Sequence, residues 1–346
     1  IGMWPQPGGL LEYSSVLEPI DSLKSVNLAS IKRTLVPGWA NLAVKGGKTY
    51  GLPVSANVKS LVWYNPANFK AAGLTVPKTD AEMTRLTNTI KSKKLGFPWC
   101  IGIESGGATG WAATDWMEEY VLRYGGEAQY TAWWKGQLPW SSPVVQRAAK
   151  KFADIALTPG NVNGGGKAIA ATGFGTTANL FATDKNKCFM MRQGSFITDF
   201  FPDAVKAEYK ANNFSRVGVF KLPAPAGTTD AVLGGGDLAA AFDANPATQK
   251  VLNFILSDKL GQGAMLATYP SYLSAHKTFP NAGYKNPITK NIAGILSSAK
   301  LFGFDGSDLA PAVVNATQWT ELTNWVAGKK TQRQAFAAID ASWKRA

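Results

Sequence analysis

Residues 104–116, Glu104-Ser-Gly-Gly-Ala-Thr109-Gly-Trp111-Ala-Ala-Thr-Asp115-Trp116, gather more potential chemistry than any other stretch of this chain. A glycine-rich turn that opens into a helix leaves backbone N–H groups unpaired at the helix start. Around it stand the Thr109 hydroxyl, the Glu104 and Asp115 carboxylates and two indoles. Neutral polyols need that mixture, with flat apolar faces for the C–H side of a ring and bidentate acceptors for adjacent hydroxyls. Trp111, in the turn, reads as a site residue, while Trp116 shares a helix face with Tyr120 and suits core or site. Carboxylates beside aromatics also suit glycoside hydrolysis, with Glu104 and either Asp115 or Glu118 as the pair. The residues alone leave binding and cleavage both open.

Three other segments carry related chemistry. Trp4-Pro-Gln6-Pro-Gly8 is a stiff aromatic and polar turn, Arg192-Gln193-Gly-Ser-Phe196 ends a β-like run with a donor and a ring, and Gln318-Trp319 adds an indole. Trp63, inside a strand-like run, is expected in the core. Other chemistries fail on spacing. Asn163-Gly-Gly-Gly-Lys167 has Ala168 where a phosphate loop needs Ser or Thr, and is read as a surface loop. Gly234-Gly235-Gly236-Asp237-Leu-Ala239 matches GxGxxA, but a β-like run follows it where a dinucleotide site needs a helix. Its glycines are expected to let a ligand approach the backbone. His276 is the sole histidine, so histidine-rich metal centres are excluded, and a Ser-His-Asp relay would depend wholly on this residue, which has no nucleophile elbow nearby. No cofactor or metal is expected.

Composition narrows the class. Of the 346 residues 45% are hydrophobic and 17% charged, with 12 Trp, which rules out a disordered chain. No stretch reaches the roughly 18–20 uncharged apolar residues of a membrane helix. The net charge of +13 would suit an anionic partner if concentrated, but its densest runs, residues 91–94 and 329–330, are short and lack interleaved aromatics. Nucleic acid is therefore not an expected partner. Two cysteines, Cys100 and Cys188, exclude a disulfide scaffold and a four-cysteine zinc site. They lie in short β-like runs that neighbouring strands can bring together. Export leaves a disulfide between them open, and a cytosolic location favours two buried thiols.

The elements that position these residues alternate. Ser142-Pro143 opens a helix that Pro159-Gly160 stops, Asn245-Pro246 opens another, and Phe336, Ile339 and Trp343 mark a terminal one. Weaker helical patterns run through Met83, Leu86 and Ile90 and through Trp116, Tyr120 and Tyr124. Strand-like runs occupy residues 60–64, 100–103, 189–191, 217–220 and 238–242. The alternation predicts α/β architecture with mostly parallel strands.

Several of these segments match a known family. The chain resembles the solute-binding proteins of bacterial ABC sugar importers, in the α-glucoside-type branch of the oligosaccharide-binding family that includes maltose-binding proteins. The resemblance rests on Trp4-Pro-Gln-Pro-Gly8, residues 58–65, residues 98–105, Ala108-Thr-Gly-Trp-Ala-Ala-Thr-Asp-Trp116, Gly234-Gly-Gly-Asp237 and Phe304-Asp-Gly-Ser-Asp-Leu-Ala-Pro311. It implies a two-lobe α/β fold like that of periplasmic binding proteins, with a hinge and a ligand cleft between the lobes. The implied division is lobe one over 1–57, lobe two over 58–233, a return to lobe one over 234–287, and C-terminal helices over 288–346 mainly on lobe two. Crossings are expected near 55–59, near 234–237 and around Pro287.

The ligand positions it implies are Gln6, Asn57, Lys59, Glu104, Thr109, Trp111, Asp115, Trp116, Arg192, Gln193, Phe196, Gly235, Gly236, Asp237 and Trp319, with Phe196 as a stacking ring. The implied ligand is an α-glucoside or oligosaccharide, handed without chemistry to an ABC permease by a monomer outside the cytoplasm, periplasmic or lipid-anchored. A non-sugar, anionic solute is the alternative, and a hydrolase using Glu104 and Asp115 the remote one. Relatives of this type carry an export signal and the first strands and helices of lobe one ahead of the Trp-Pro-Gln-Pro segment. The resemblance therefore implies that the N-terminal part of lobe one is missing here.

Overall fold

Helix starts in the computed structural model, which describes residues 1–181, 188–260, 262 and 269–346, follow the local grammar of the sequence. Proline supplies a preset φ where the first helical N–H has no partner, and it opens Pro143–Ala156, Pro246–Ile255 and Pro287–Ser297. Asn245 and Asn286 cap the last two by accepting backbone N–H groups. Reciprocal capping boxes, Thr79 with Glu82 and Thr331 with Gln334, open Asp80–Ser92 and Gln332–Ser342. The helical stretch Trp111–Trp134 breaks at Gly126, whose φ of 65° is not helical. Residues 163–167, expected as a surface loop, instead lead into the helix Gly165–Ala171.

Eleven strands are assigned among the described residues: β1 (Gly2–Trp4), β2 (Ala43–Lys45), β3 (Lys48–Pro53), β4 (Asn57–Val58), β5 (Leu61–Tyr64), β6 (Phe97–Trp99), β7 (Cys188–Arg192), β8 (Gly218–Lys221), β9 (Ala231–Gly235), β10 (Leu238–Ala240) and β11 (Leu301–Phe304). They form three sheets, ordered β1-β10-β3-β2, β11-β9-β4 and β6-β7-β5-β8. The expectation of mostly parallel strands is corrected. Only β11–β9 and β6–β7 pair in parallel, and the six other pairings are antiparallel. Alternation of helix and strand implies parallel neighbours only when consecutive strands become neighbours. Here β5 and β6 are separated by β7, and β7 and β8 by β5. Residues 100–103, expected as a strand, lie just beyond β6. There Ile103 and Glu104 donate their N–H groups to Ile169 and Thr172, so the sheet edge continues on a loop and a helix end.

The apolar residues gather in two clusters. One joins Leu10, Trp39, Leu52, Trp63, Leu238 and Phe304 with Phe181, Ile197 and Phe201. The other joins Trp99, Trp116, Tyr120, Trp133, Trp140 and Phe152 with Leu322, Trp325, Phe336 and Ile339 of the C-terminal helices. Trp63 lies in the core as expected, with its indole N–H donating to the Gln193 carbonyl at 2.9 Å. Cys100 and Cys188 form a disulfide, with their Cα atoms 5.4 Å apart.

Candidate ligand-binding site

The chain narrows to three strands at β11-β9-β4, and the candidate residues collect around that sheet. Glycines let its strands approach closely. A Cβ on Gly236 would stand 2.2 Å from the Ser55 carbonyl oxygen, and one on Gly234 would stand 2.4 Å from that of Asn57. These two glycines therefore serve contact between chain segments, which corrects the expectation that they make room for a ligand. Gly235 has more space, with Lys59 and Asp305 nearest to it. The third strand here is β11; Pro287, the expected third crossing, begins a helix instead.

Immediately beyond these strands lies a buried charged network. Lys59 Nζ donates to Asp115 Oδ1 at 2.9 Å and to Asp305 Oδ2. Arg192 bonds Glu119 at 2.8 Å and faces Asp115 at 3.4 Å, and Arg123 bonds Glu119 at 2.7 Å. Glu118 accepts the backbone N–H groups of Gly306 and Ser307. Three cations thus meet five carboxylates, counting Asp308 beside Asp305.

The electrostatics follow from that imbalance. Burial, then the charges of Asp305 and Asp115, pushes the Glu118 carboxyl well above its ordinary range, and burial with Asp305 does the same to Asp308. Burial pushes Asp115 up to about 6 against the pull of Lys59 and Arg192. Asp305 goes the other way: burial opposes its charge, but the Lys59 ammonium and hydrogen bonds hold it below the usual range. Burial likewise opposes the charge on Lys59, and Asp115 and Asp305 outweigh it. Oxygens of Asp115, Glu118 and Asp305 lie within 4.8 Å of one another, a spacing that suits a metal ion. Lys59 Nζ already bonds two of these carboxylates in that role.

Above the network the surface is aromatic. Trp111 is half-buried, with Lys59 Nζ 5.3 Å from its ring centroid. Its ring lies 5.7 Å from Phe196 and 4.9 Å from Phe174, and Phe174 in turn lies 4.7 Å from Phe200. The helix that begins at Trp111 is fixed from behind. Gly110 has φ 116°, and a Cβ there would stand 2.1 Å from the Trp319 carbonyl oxygen, so only glycine fits. Trp319, half-buried, is thereby held against the start of this helix, with its indole N–H unpaired.

The expected site residues divide into two groups. Glu104, Thr109, Trp111, Phe196, Asn57, Asp237, Trp319 and Gln6 retain partial exposure. Among these, Asn57 Oδ1 accepts from Ser195 Oγ, Asp237 accepts from Ser55 Oγ, and Glu104 accepts the Gly106 N–H. Thr109 Oγ1 is spent on its own turn, between the Ser105 N–H and the Gly106 carbonyl. Gln6 stands at the start of the helix Pro7–Glu12, which packs by Gly8 against Ala310.

Lys59, Asp115, Arg192, Gln193 and Trp116 lie inside, and this departs from the expectation of direct ligand contact. Trp116 is 2% exposed and stacks between Tyr120 and Phe152. The sequence reading missed Phe174, Phe200, Glu119, Arg123 and Asp305. Two signals were available: Phe174 sits between two glycines, and Asp115, Glu119 and Arg123 recur at helical spacing on one face.

Comparison with known proteins agrees with this architecture. The family model for bacterial extracellular solute-binding proteins matches residues 9–262. The osmoprotective compounds-binding protein GgtB of Synechocystis sp. is 32% identical over all of this chain and 80% of its own length. The alpha-glucosides-binding periplasmic protein AglE of Rhizobium meliloti is 34% identical over 99% of this chain and 75% of its own. A solved chitin oligosaccharide binding protein superposes with a TM-score of 0.77 at 21% identity, covering 98% of this chain and 82% of that one. The fold is the two-lobe fold of periplasmic binding proteins. The chain belongs to the bacterial extracellular solute-binding protein family.

Proposed function

We propose that this protein captures an α-glucoside or a related neutral oligosaccharide between its lobes, outside the cytoplasm, and hands it unchanged to the permease of an ABC importer. The observation that carries the reading is the partly exposed aromatic surface of Trp111, Phe174 and Phe196, with Glu104 hydrogen-bonded to the Phe174 backbone and Asn57 to Ser195, the neighbour of Phe196. Rings of this kind cover the C–H face of a pyranose while carboxylate and amide groups take its hydroxyls. AglE, named for alpha-glucosides, supports the ligand class.

The charged groups beneath the surface argue for a neutral solute. Lys59, Arg123 and Arg192 each have a carboxylate partner, so the net charge of +13 is not concentrated here as an anion site. They also argue against cleavage, because Asp115 is engaged by Lys59 and Arg192 and is 1% exposed. A hydrolase needs that carboxylate facing the sugar. The protein acts as a monomer.

Two sheets support the proposed division into lobes. The sheet β1-β10-β3-β2 draws only on residues before 58 and after 233, and β6-β7-β5-β8 only on residues between. The C-terminal helices bury Leu322, Phe336 and Ile339 with the second group. The crossings are then β4, β9 and β11.

Calorimetric titration with trehalose, maltose, sucrose and a longer maltodextrin tests the reading, with each mixture assayed afterwards for hydrolysis. A Kd of about 1 μM, worth about 8 kcal/mol, with intact sugar is expected for at least one of them. No heat from any of the four would overturn the ligand class, and cleaved sugar would overturn the transport role.

A further inference from the structure

A cavity of about 680 Å³ opens at the start of β11, the end of that strand away from Asp305 and the charged network. Its size is within the roughly 300–1,000 Å³ of small-molecule sites. Leu301 and Phe302 line it, and Asp305, which bonds Lys59, lies about 13 Å further on along an extended strand. None of Trp111, Phe174, Phe196, Glu104, Asn57 and Asp237 contributes to its walls, so it is separate from the sugar surface. The walls come from distant parts of the chain. Val36 follows the helix Leu28–Thr34, Phe279 and Tyr284 belong to the return segment, and Glu127 stands just past the break at Gly126.

The rings and polar groups inside it define a ligand shape. Phe279 and Tyr284 are buried with their rings 4.8 Å apart, and the half-buried Phe302 is backed by Trp39 at 5.3 Å. These rings offer fixed apolar faces to a flat body. The Tyr284 hydroxyl accepts the Ser274 N–H at 3.0 Å, and its own proton goes to no acceptor among the described residues. Burial raises the pKa of this phenol, so it stays a donor at neutral pH. His276, 4% exposed, meets Thr34 Oγ1 through Nδ1 at 2.8 Å, and its Nε2 makes no hydrogen bond. Burial holds this ring below its ordinary pKa against the pull of Asp258 and the Leu256 carbonyl, so it is neutral. Buried polar atoms left unused cost free energy, which a ligand that pairs them recovers.

The rim sets the charge of that ligand. Lys277, Lys300 and Glu127 are exposed there, and none has a side-chain partner among the described residues. Two ammonium groups against one carboxylate leave the rim cationic, whereas the cations beneath the sugar surface are all paired. An aromatic alcohol would use the rings alone, and an aromatic amine would meet two like charges. A carboxylate gains charge-assisted hydrogen bonds from the lysines.

We propose that this cavity is a second ligand site that takes a small aromatic carboxylate, its ring among Phe279, Tyr284 and Phe302 and its carboxylate toward Lys277 and Lys300. The site is independent of the glycoside-binding reading. Calorimetric titration with benzoate, benzyl alcohol and benzylamine tests it on four proteins: the unaltered chain, a double variant Lys277→Glu with Lys300→Glu, Ala299→Trp and Trp111→Ala. A thermal melt of each verifies folding. Ala299 is a half-buried wall residue whose replacement by an indole fills the cavity; the two lysines are exposed, so their variant tests the site even if the indole disturbs folding. The unaltered chain binds benzoate with a Kd of about 1 mM or tighter, at least tenfold more tightly than the alcohol or the amine. The lysine variant and Ala299→Trp each weaken benzoate at least tenfold, and Trp111→Ala leaves it within twofold. No benzoate binding to the unaltered chain overturns the site, and equal binding of acid and alcohol overturns the carboxylate assignment, as does an affinity that the lysine variant leaves unchanged. A loss in Trp111→Ala with none in folded Ala299→Trp would place the acid on the sugar surface and overturn the second site, while the glycoside reading stands or falls on its own titrations.

Discussion

Replacing Lys59 with Met keeps the volume of the side chain and removes its charge, leaving Asp115 and Asp305 facing one another without the ammonium between them. Removing one partner from a buried ion pair typically costs about 3–5 kcal/mol, because the remaining charge is stranded in a low-dielectric interior. Lys59 serves two carboxylates that are 1% and 3% exposed, so the full range applies. A chain of 346 residues unfolds with an entropy of about 0.7 kcal/mol/K, which converts the loss to about 4–7 °C in Tm. The pH dependence identifies the cause. In the unaltered protein Asp305 is held low by Lys59, so its contribution is present above the ordinary carboxylate range and lost only below it.

In Lys59→Met both carboxylates are raised by burial. Their folded forms then take up protons that the unfolded chain has released, and the variant regains stability as pH falls from 7.5 to 5. The deficit relative to the unaltered protein is therefore larger at pH 7.5 than at pH 5. Differential scanning fluorimetry at the two pH values reads both quantities. A Tm loss under 1 °C at pH 7.5, or the same loss at both values, would refute the assignment of Lys59 as the charge that holds this network.

Three further outcomes follow from the same groups. Glu118 is raised by burial and by Asp305 and Asp115, and its two oxygens accept backbone N–H groups, so Glu118→Gln gives up one acceptor but no ion pair and lowers Tm less than Glu119→Gln does. Glu119 stands ion-paired between Arg123 and Arg192, and Glu119→Gln loses about 4–7 °C; equal effects of the two substitutions in thermal melts would contradict the charge count. Trp111→Ala weakens the tightest sugar by well over tenfold, since losing an interface aromatic costs about 2 kcal/mol or more, and calorimetry with unchanged affinity would remove it from the site. The Cys100–Cys188 bond closes a loop with a sequence separation of 88, worth about 4–5 kcal/mol on the chain-entropy account. Cys100→Ser with Cys188→Ser lowers the urea midpoint accordingly, and an unmoved midpoint would show that the bond constrains little in the unfolded chain.

How far the sequence could be read depended on whether the signal was local. Proline and asparagine at helix starts act through the next few residues, so Pro143–Ala156 and Pro246–Ile255 emerge where the pattern places them. Strand pairing is not local. Nothing near β5 states that its neighbours will be β7 and β8, residues 188–192 and 218–221, and so the parallel expectation failed. The hairpin β2–β3 was legible but overlooked: Gly46 and Gly47, both at positive φ, form the two-residue turn that adjacent glycines favour.

Residue type gave the site its chemistry but not its depth. Trp111, Trp116, Asp115 and Glu104 stand within thirteen residues, yet two of them stay partly exposed and two are buried, because a helix begins at Trp111 and turns Asp115 and Trp116 onto its buried side. Depth is set by partners that are far away in sequence. Asp115 can be buried because Lys59 and Arg192 neutralise it, and Lys59 can be buried because Asp305, 246 residues further on, completes its pair. Once those charges are satisfied below the surface, the rings of Trp111, Phe174 and Phe196 remain above it, with Trp111 over the Lys59 ammonium. An isolated indole at such a place would be attracted to a cation and would favour a cationic solute. Here the protein's own lysine occupies one face of the ring, so the other face is left for an uncharged one. The buried ion pairs and the proposed preference for a neutral ring are thus a single arrangement, and Lys59→Met probes both: it lowers Tm and, by removing the ammonium from that face of Trp111, changes affinity for the sugar.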